Sequence, residues 1–137
     1  AIDIESEGKD LTLDELRELH SLKTGALIRA SLALGGIAAN ATEGQLAALD
    51  EFGKHIGLAF QVVDDILDVE GSTESLGKTG GKDEASDKAT YVKLLGLEGA
   101  KAEAQQLLDA ALEALSDFGD SADDLRDLAR YIVNRDH

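Results

Sequence analysis

A chain of 137 residues is one domain's worth of polypeptide, long enough to bury a core. Its formal net charge of −15 argues against nucleic acid and anionic membranes as partners, and a phosphate-bearing ligand would need a divalent cation between itself and the protein. Hydrophobic residues at 43%, charged residues at 30% and no cysteine describe a soluble globular domain with no disulfide framework or thiolate metal site, in keeping with a cytoplasmic location.

No apolar run reaches the length of a bilayer span, and the segment from Ala1 shows no basic, leucine-rich leader, so neither an anchor nor a signal peptide is expected. Proline and methionine are both absent, where average usage of roughly 5% would give about seven prolines. That pair of absences points to an edited composition.

Residues 1–10 are a weakly alternating lead-in. Thr12 with Glu15 three residues on predicts a capping box. Leu13, Leu16 and Leu19, then Leu27, Ile28, Leu32 and Leu34, keep helical spacing as far as Asn40, a residue suited to a helix stop. Gly25 predicts a kink in that helix, and Gly35 and Gly36 weaken its last turns. Thr42 opens a helix expected to run to about Val69, amphipathic at first and apolar nearly all round from Ile56, the pattern of a helix buried within a bundle. Gly71 to Thr90 is polar, Gly-rich and aperiodic, and loops of that length in compact domains are usually functional or disordered. A short helix is predicted at Tyr91–Leu95, then an Ala-rich helix from Leu97 with Gly119 as its C-cap, then a last helix with Ser121 as its N-cap. No strand-like alternation occurs, so the expected class is all-α, a helical bundle.

The chemistry concentrates near the end of the second helix, in "FQVVDDILDVEG". Asp64 and Asp68 stand one turn apart and Asp65 lies between them, so the three acids project from neighbouring positions. Like charges at that spacing destabilise a helix by a few tenths of a kcal/mol per pair, and carboxylates near its negative end add about 0.3–1 kcal/mol. Lys54 and His55 lie too far back to compensate, and Glu70 adds to the charge. A solvated acidic face is the bland explanation. The same turns hold Phe60, Val62, Val63, Ile66 and Leu67, however, and acids embedded in a buried helix require compensation. A hard cation meets that need, Mg²⁺ above all, since it uses one or two carboxylates and keeps places for water and substrate phosphate.

The next stretch, "GSTESLGKTG", is not a phosphate-binding P-loop: five residues separate Gly71 from Gly77 where that motif needs four, and it comes after a helix rather than a strand. Lys78, Lys82 and Lys88 are compact point charges where a loop could fold over phosphate; taken alone they read as ordinary solvent lysines.

Taken in order, Lys23-Thr24-Gly25, Phe60-Gln61, Asp64-Asp65-Ile66-Leu67-Asp68, Gly77-Lys78, Gly81, Asp83 and Lys88 before Thr90-Tyr91 resemble the trans-isoprenyl diphosphate synthases, most of all the bacterial farnesyl diphosphate (geranyltranstransferase) type. The likeness runs nearly end to end and covers the C-terminal half of such an enzyme; the N-terminal half, with the first aspartate-rich motif, would lie before Ala1. Val92 stands where the family has proline, and the Arg135-Asp136-His137 ending differs from the basic tails of some members.

The resemblance implies an all-α bundle around a deep cavity and a prenyltransferase. The reaction would join an allylic diphosphate to isopentenyl diphosphate by Mg²⁺-assisted ionisation. Asp64 would be the principal Mg²⁺ ligand, Asp65 and Asp68 outer partners, and Asp83 the holder of an ordered water. Lys23, Lys78 and Lys88 would neutralise the diphosphate, Thr24 and Gln61 would line the cavity beside the allylic cation, and Phe60 would wall the second substrate. The lysine at position 23 also reads as a snorkelling helix lysine, and His20 and His55 as ordinary surface or interface histidines. Partners are the two diphosphates, the other half of the fold, and a second copy in a homo-oligomer. The competing expectation is an excised or engineered half-bundle without turnover, its exposed inner face driving self-association.

Overall fold

The structure, a computed structural model, describes residues 11–74 and 90–136, and every regular element among them is helical. Helix α1, Leu13–His20, begins at the expected capping box: Thr12 Oγ1 accepts from the Glu15 amide (3.1 Å) and Glu15 Oε1 accepts from the Thr12 amide (3.0 Å). It continues through a five-residue π-helical turn, Ser21–Gly25, into α2, Ala26–Ala38. Gly25 keeps helical angles (φ −60°, ψ −38°), so the expected kink is instead a widened turn inside one long helix. Asn40, at φ 61°, ends α2 as anticipated. The Ala41 amide donates to Gly36 O (2.9 Å) and the Asn40 amide to Ile37 O (3.0 Å), which closes a Schellman motif.

Helix α3, Glu43–Glu74, starts at a second reciprocal box between Thr42 and Gln45 and runs five residues past the predicted end at Val69. Helix α4, Tyr91–Ala114, is divided at Gly96 (φ 77°, ψ 167°), which separates Tyr91–Leu95 from the Ala-rich remainder, as the sequence led one to expect. A 3₁₀ turn, Asp120–Ala122, leads into α5, Asp123–Asn134. Here two expectations are corrected. Gly119 has φ −82° and is no left-handed C-cap, and Ser121 lies inside the 3₁₀ turn, leaving Ala122 at the N-cap of α5 without a side-chain bond. Arg126 does the capping: its guanidinium donates to the carbonyls of Leu115, Phe118 and Gly119 at 2.7–2.9 Å.

Helix α3 is the hub. Phe52, Ile56 and Ala59 pack with Leu108, Ala111, Leu115, Ala122 and Ala129; further along, Val62, Val63 and Ile66 pack with Leu16, Tyr91, Ala100 and Ala104. This is the buried second half of α3 that its all-round apolar pattern foretold. The π turn and α2 lie close against α3 because Gly57 has no side chain: a Cβ there would sit 3.3 Å from Gly25 Cα and 3.4 Å from Ile28 Cδ1. The opposite face of α2 is uncovered, with Leu27 71%, Leu34 69% and Ile37 61% exposed. No helix among the described residues is long and apolar enough to cross a membrane.

Candidate functional site

The close approach of the backbones at Gly57 brings the next turn of α3 within reach of the π turn. Gln61 Nε2 donates to Thr24 Oγ1 at 3.3 Å, so two residues 37 positions apart that the sequence nominated together do meet. Thr24 belongs to the π turn, beside exposed Lys23 and buried Gly25. Such turns are rare and frequently mark functional sites, because the extra residue re-aims the side chains it carries.

The three aspartates of α3 separate. Asp64 and Asp68 are exposed one turn apart, while Asp65 is half-buried and its Oδ2 accepts from the Tyr91 amide at 2.8 Å. That bond satisfies one of the amides at the start of α4 that have no intrahelical acceptor, and a negative charge there is favoured by the helix dipole. Thr90 Oγ1, accepting from the Lys93 amide (3.1 Å), completes the cap. The compensation sought for the acids therefore comes, for Asp65, from a helix N-terminus.

Tyr91 is fully buried, and its phenol lies 3.0 Å from His20 Nδ1, the two rings 5.3 Å apart. Burial, reinforced by the charge of Asp65, raises the phenol pKa well above its ordinary value. Tyr91 thus keeps its proton, and its hydroxyl shares a hydrogen bond with His20 Nδ1. The reading of His20 as an ordinary surface or interface histidine is corrected: it is the last residue of α1, joined to α4 immediately before the π turn. One turn earlier Arg17 makes the parallel link, donating to Glu103 Oε2 at 2.9 and 2.6 Å. Desolvation opposes the Arg17 charge, but the hydrogen bond and charge of Glu103 outweigh it, and the guanidinium pKa lies above its usual value.

Phe60 lies under the guanidinium of Arg135, 4.5 Å from the ring centre, and its carbonyl accepts from Arg135 Nη2 at 3.2 Å. Neither the Asp65–Tyr91–His20 chain nor the Arg135 cap has a local sequence signal, since each joins residues distant along the chain. Lys78, Lys82, Asp83 and Lys88 lie outside the described residues.

Among the described residues no three of His, Asp and Glu converge closely enough to enclose an ion. Asp64 and Asp68, two solvent-facing carboxylates one turn apart, fit Mg²⁺ in its usual mode, with one or two protein carboxylates and the remaining positions filled by water and phosphate oxygens.

Comparison with known proteins bears on the same arrangement. The family model for polyprenyl synthetase matches residues 1–131. The farnesyl diphosphate synthase of Micrococcus luteus is 47% identical over 134 residues, 98% of this chain and 46% of that protein. A decaprenyl diphosphate synthase structure from Rhodobacter capsulatus superposes with a TM-score of 0.85 at 26% identity, over 99% of this chain and 55% of that one. A Helicobacter pylori geranyltransferase, described in complex with magnesium and isoprenyl diphosphate, gives a TM-score of 0.67 at 38% identity over 96% and 42%. The chain spans about half the length of the relatives it matches, and within that span the all-α fold is theirs. The chain belongs to the polyprenyl synthetase family.

Proposed function

We propose that this chain supplies the C-terminal half of a farnesyl diphosphate synthase-like prenyltransferase, with the N-terminal half required for turnover. The observation that carries the proposal is the Gln61–Thr24 contact, which draws Lys23-Thr24-Gly25 against the α3 turn leading into the aspartates. The Micrococcus luteus relative, a farnesyl diphosphate synthase, supports a prenyl diphosphate product; the substrates in this reading are an allylic diphosphate and isopentenyl diphosphate.

In this reading Asp64 and Asp68 hold Mg²⁺ together with the diphosphate, as the H. pylori complex with magnesium and isoprenyl diphosphate suggests. The bound metal supplies positive charge against the charge that develops on the leaving group. Lys23, exposed beside the π turn, adds a point charge to the same diphosphate, with Lys78 and Lys88 assigned to it as well and Asp83 to an ordered water. The Thr24 hydroxyl oxygen and the Gln61 amide oxygen face the allylic cation, oriented by their mutual bond. Phe60 walls the apolar side, where water must be excluded so that the isopentenyl double bond attacks first and a proton is then lost. The exposed Leu27, Leu34 and Ile37 favour an incomplete cavity, so the 137-residue chain alone makes no product.

Calorimetric titration of the chain with Mg²⁺ and inorganic pyrophosphate tests the site. Binding is expected only with both present, and it should weaken more than about 10-fold in Asp64→Ala/Asp68→Ala, which removes two charge-assisted contacts. Pyrophosphate binding unaffected by that double change, or no binding at all, would refute the site. Product formed from geranyl and isopentenyl diphosphates by the chain alone would refute the need for another half.

A further inference from the structure

The contacts around the π turn close into a ring. Gln61 and Asp65 stand one turn apart on α3; Gln61 bonds Thr24 (3.3 Å), and Asp65 bonds the first amide of α4 at Tyr91 (2.8 Å). The Tyr91 phenol then reaches His20 Nδ1 (3.0 Å), and His20 leads directly into Ser21–Gly25. We propose that Tyr91 and His20 are positioning residues that, with Asp65, fix the register of the π turn relative to α3 and so set where Lys23 and Thr24 stand against Asp64 and Asp68.

Several observations carry this assignment. A π turn holds one residue more than an α-helical turn, so the side chains it carries depend on where the extra residue is placed. On its α3 side the turn meets Gln61 through the Thr24 hydroxyl and Gly57 through Gly25. On the α4 side the His20–Tyr91 bond adds a directional contact at the residue where the turn begins. Tyr91 has no exposed surface, so its phenol has little freedom to move. Arg17–Glu103 clamps α1 to α4 one turn earlier, but it lies upstream of the turn and cannot set the register within it. Asp65, whose Oδ2 accepts from the α4 amide, thereby differs from Asp64 and Asp68: it is the anchor for the ring, in addition to the outer metal partner that the sequence proposed.

The positioning claim rests on the proposed diphosphate site, whereas the ring itself does not, so the test has two arms. In the ligand-free, isotope-labelled chain, Tyr91→Phe keeps the ring and deletes the hydroxyl. The amide resonances of Ser21–Gly25 and the His20 ring nitrogens are expected to shift in this variant. His20→Ala should shift the same amides, and His20→Asn, which can still hydrogen-bond the phenol, should move them back toward wild type. Unmoved resonances in Tyr91→Phe, or His20→Asn indistinguishable from His20→Ala, would overturn the proposal. Should Tyr91→Phe fail to fold, the half-buried His20 pair decides alone. In the second arm, Tyr91→Phe is expected to weaken Mg²⁺–pyrophosphate binding about 3- to 10-fold, the factor one neutral hydrogen bond represents. Shifted amides with unchanged affinity would overturn the positioning claim, while absent wild-type binding refutes the diphosphate site and leaves the ring to be judged by the resonances.

Discussion

Glu103 is the buried charged side chain among the described residues, and only Arg17, about one third exposed, answers it. Removing one member of such a pair strands the other's charge, costing 3–5 kcal/mol when both are fully buried. Because Arg17 is partly wet, Arg17→Met is expected to cost about 2 kcal/mol by denaturant unfolding, and Arg17→Met/Glu103→Leu to recover more than half of it. Arg29–Asp50 is bidentate at 2.8 and 2.9 Å but open to solvent. The hydrogen bond from Arg29 lowers the Asp50 pKa below its ordinary value. A carboxylate depressed on folding adds stability above its unfolded pKa of about 3.9 and loses it as pH falls through the folded value. Asp50→Asn should therefore cost about 0.2–1 kcal/mol near neutrality, a cost that disappears as pH falls through the depressed folded value. At this scale the sequence was readable where partners are near neighbours, as with Thr12 and Glu15, and unreadable where they are distant, as with Asp65 and Tyr91, 26 residues apart.

Among the elements, two glycines test what the backbone requires. Gly96 lies at φ 77°, ψ 167°, a region that side-chain-bearing residues occupy only at a cost of about 1–3 kcal/mol. Gly35 is helical, with nothing within 4 Å of where a Cβ would stand. Gly96→Ala should lower the melting temperature and Gly35→Ala raise it, the latter through a gain of up to about 1 kcal/mol in unfolding free energy from helix propensity. Equal responses would show that Gly96 only interrupts a helix and does not redirect the chain. The starts of α1 and α3 and the stop of α2 were legible because each is a local exchange of hydrogen bonds. The α4–α5 corner was not, because Arg126 reaches back from within α5 to do what Gly119 and Ser121 were expected to do. The π turn also escaped the sequence: Gly25 announced a disturbance, but its form depends on the partner glycine at position 57.

For the whole molecule, the all-α class was plain from periodicity, whereas the uncovered face of α2 was not. "ALIRASLALGG" is apolar nearly all round and reads the same whether one face or two are buried. In the structure one face meets α3, and Leu27, Leu34 and Ile37 stand open on the other, in a chain that spans 46% of its Micrococcus luteus relative. Two forces then oppose each other: the apolar stripe favours association, and a net charge of −15 resists it. Repulsion between exposed charges is screened beyond about 10 Å at 0.1 M salt, whereas apolar contact is not. The chain should therefore be monomeric at low ionic strength and self-associate as salt rises, as followed by light scattering. Leu27→Gln/Leu34→Gln should abolish that response while changing unfolding free energy by no more than about 0.5 kcal/mol, as befits surface positions. A loss of about 2 kcal/mol or more would mean the two leucines are packed within the chain itself, at the scale of burying such a side chain. In that case α2 has no open face, and the incomplete cavity inferred from it would have no structural basis.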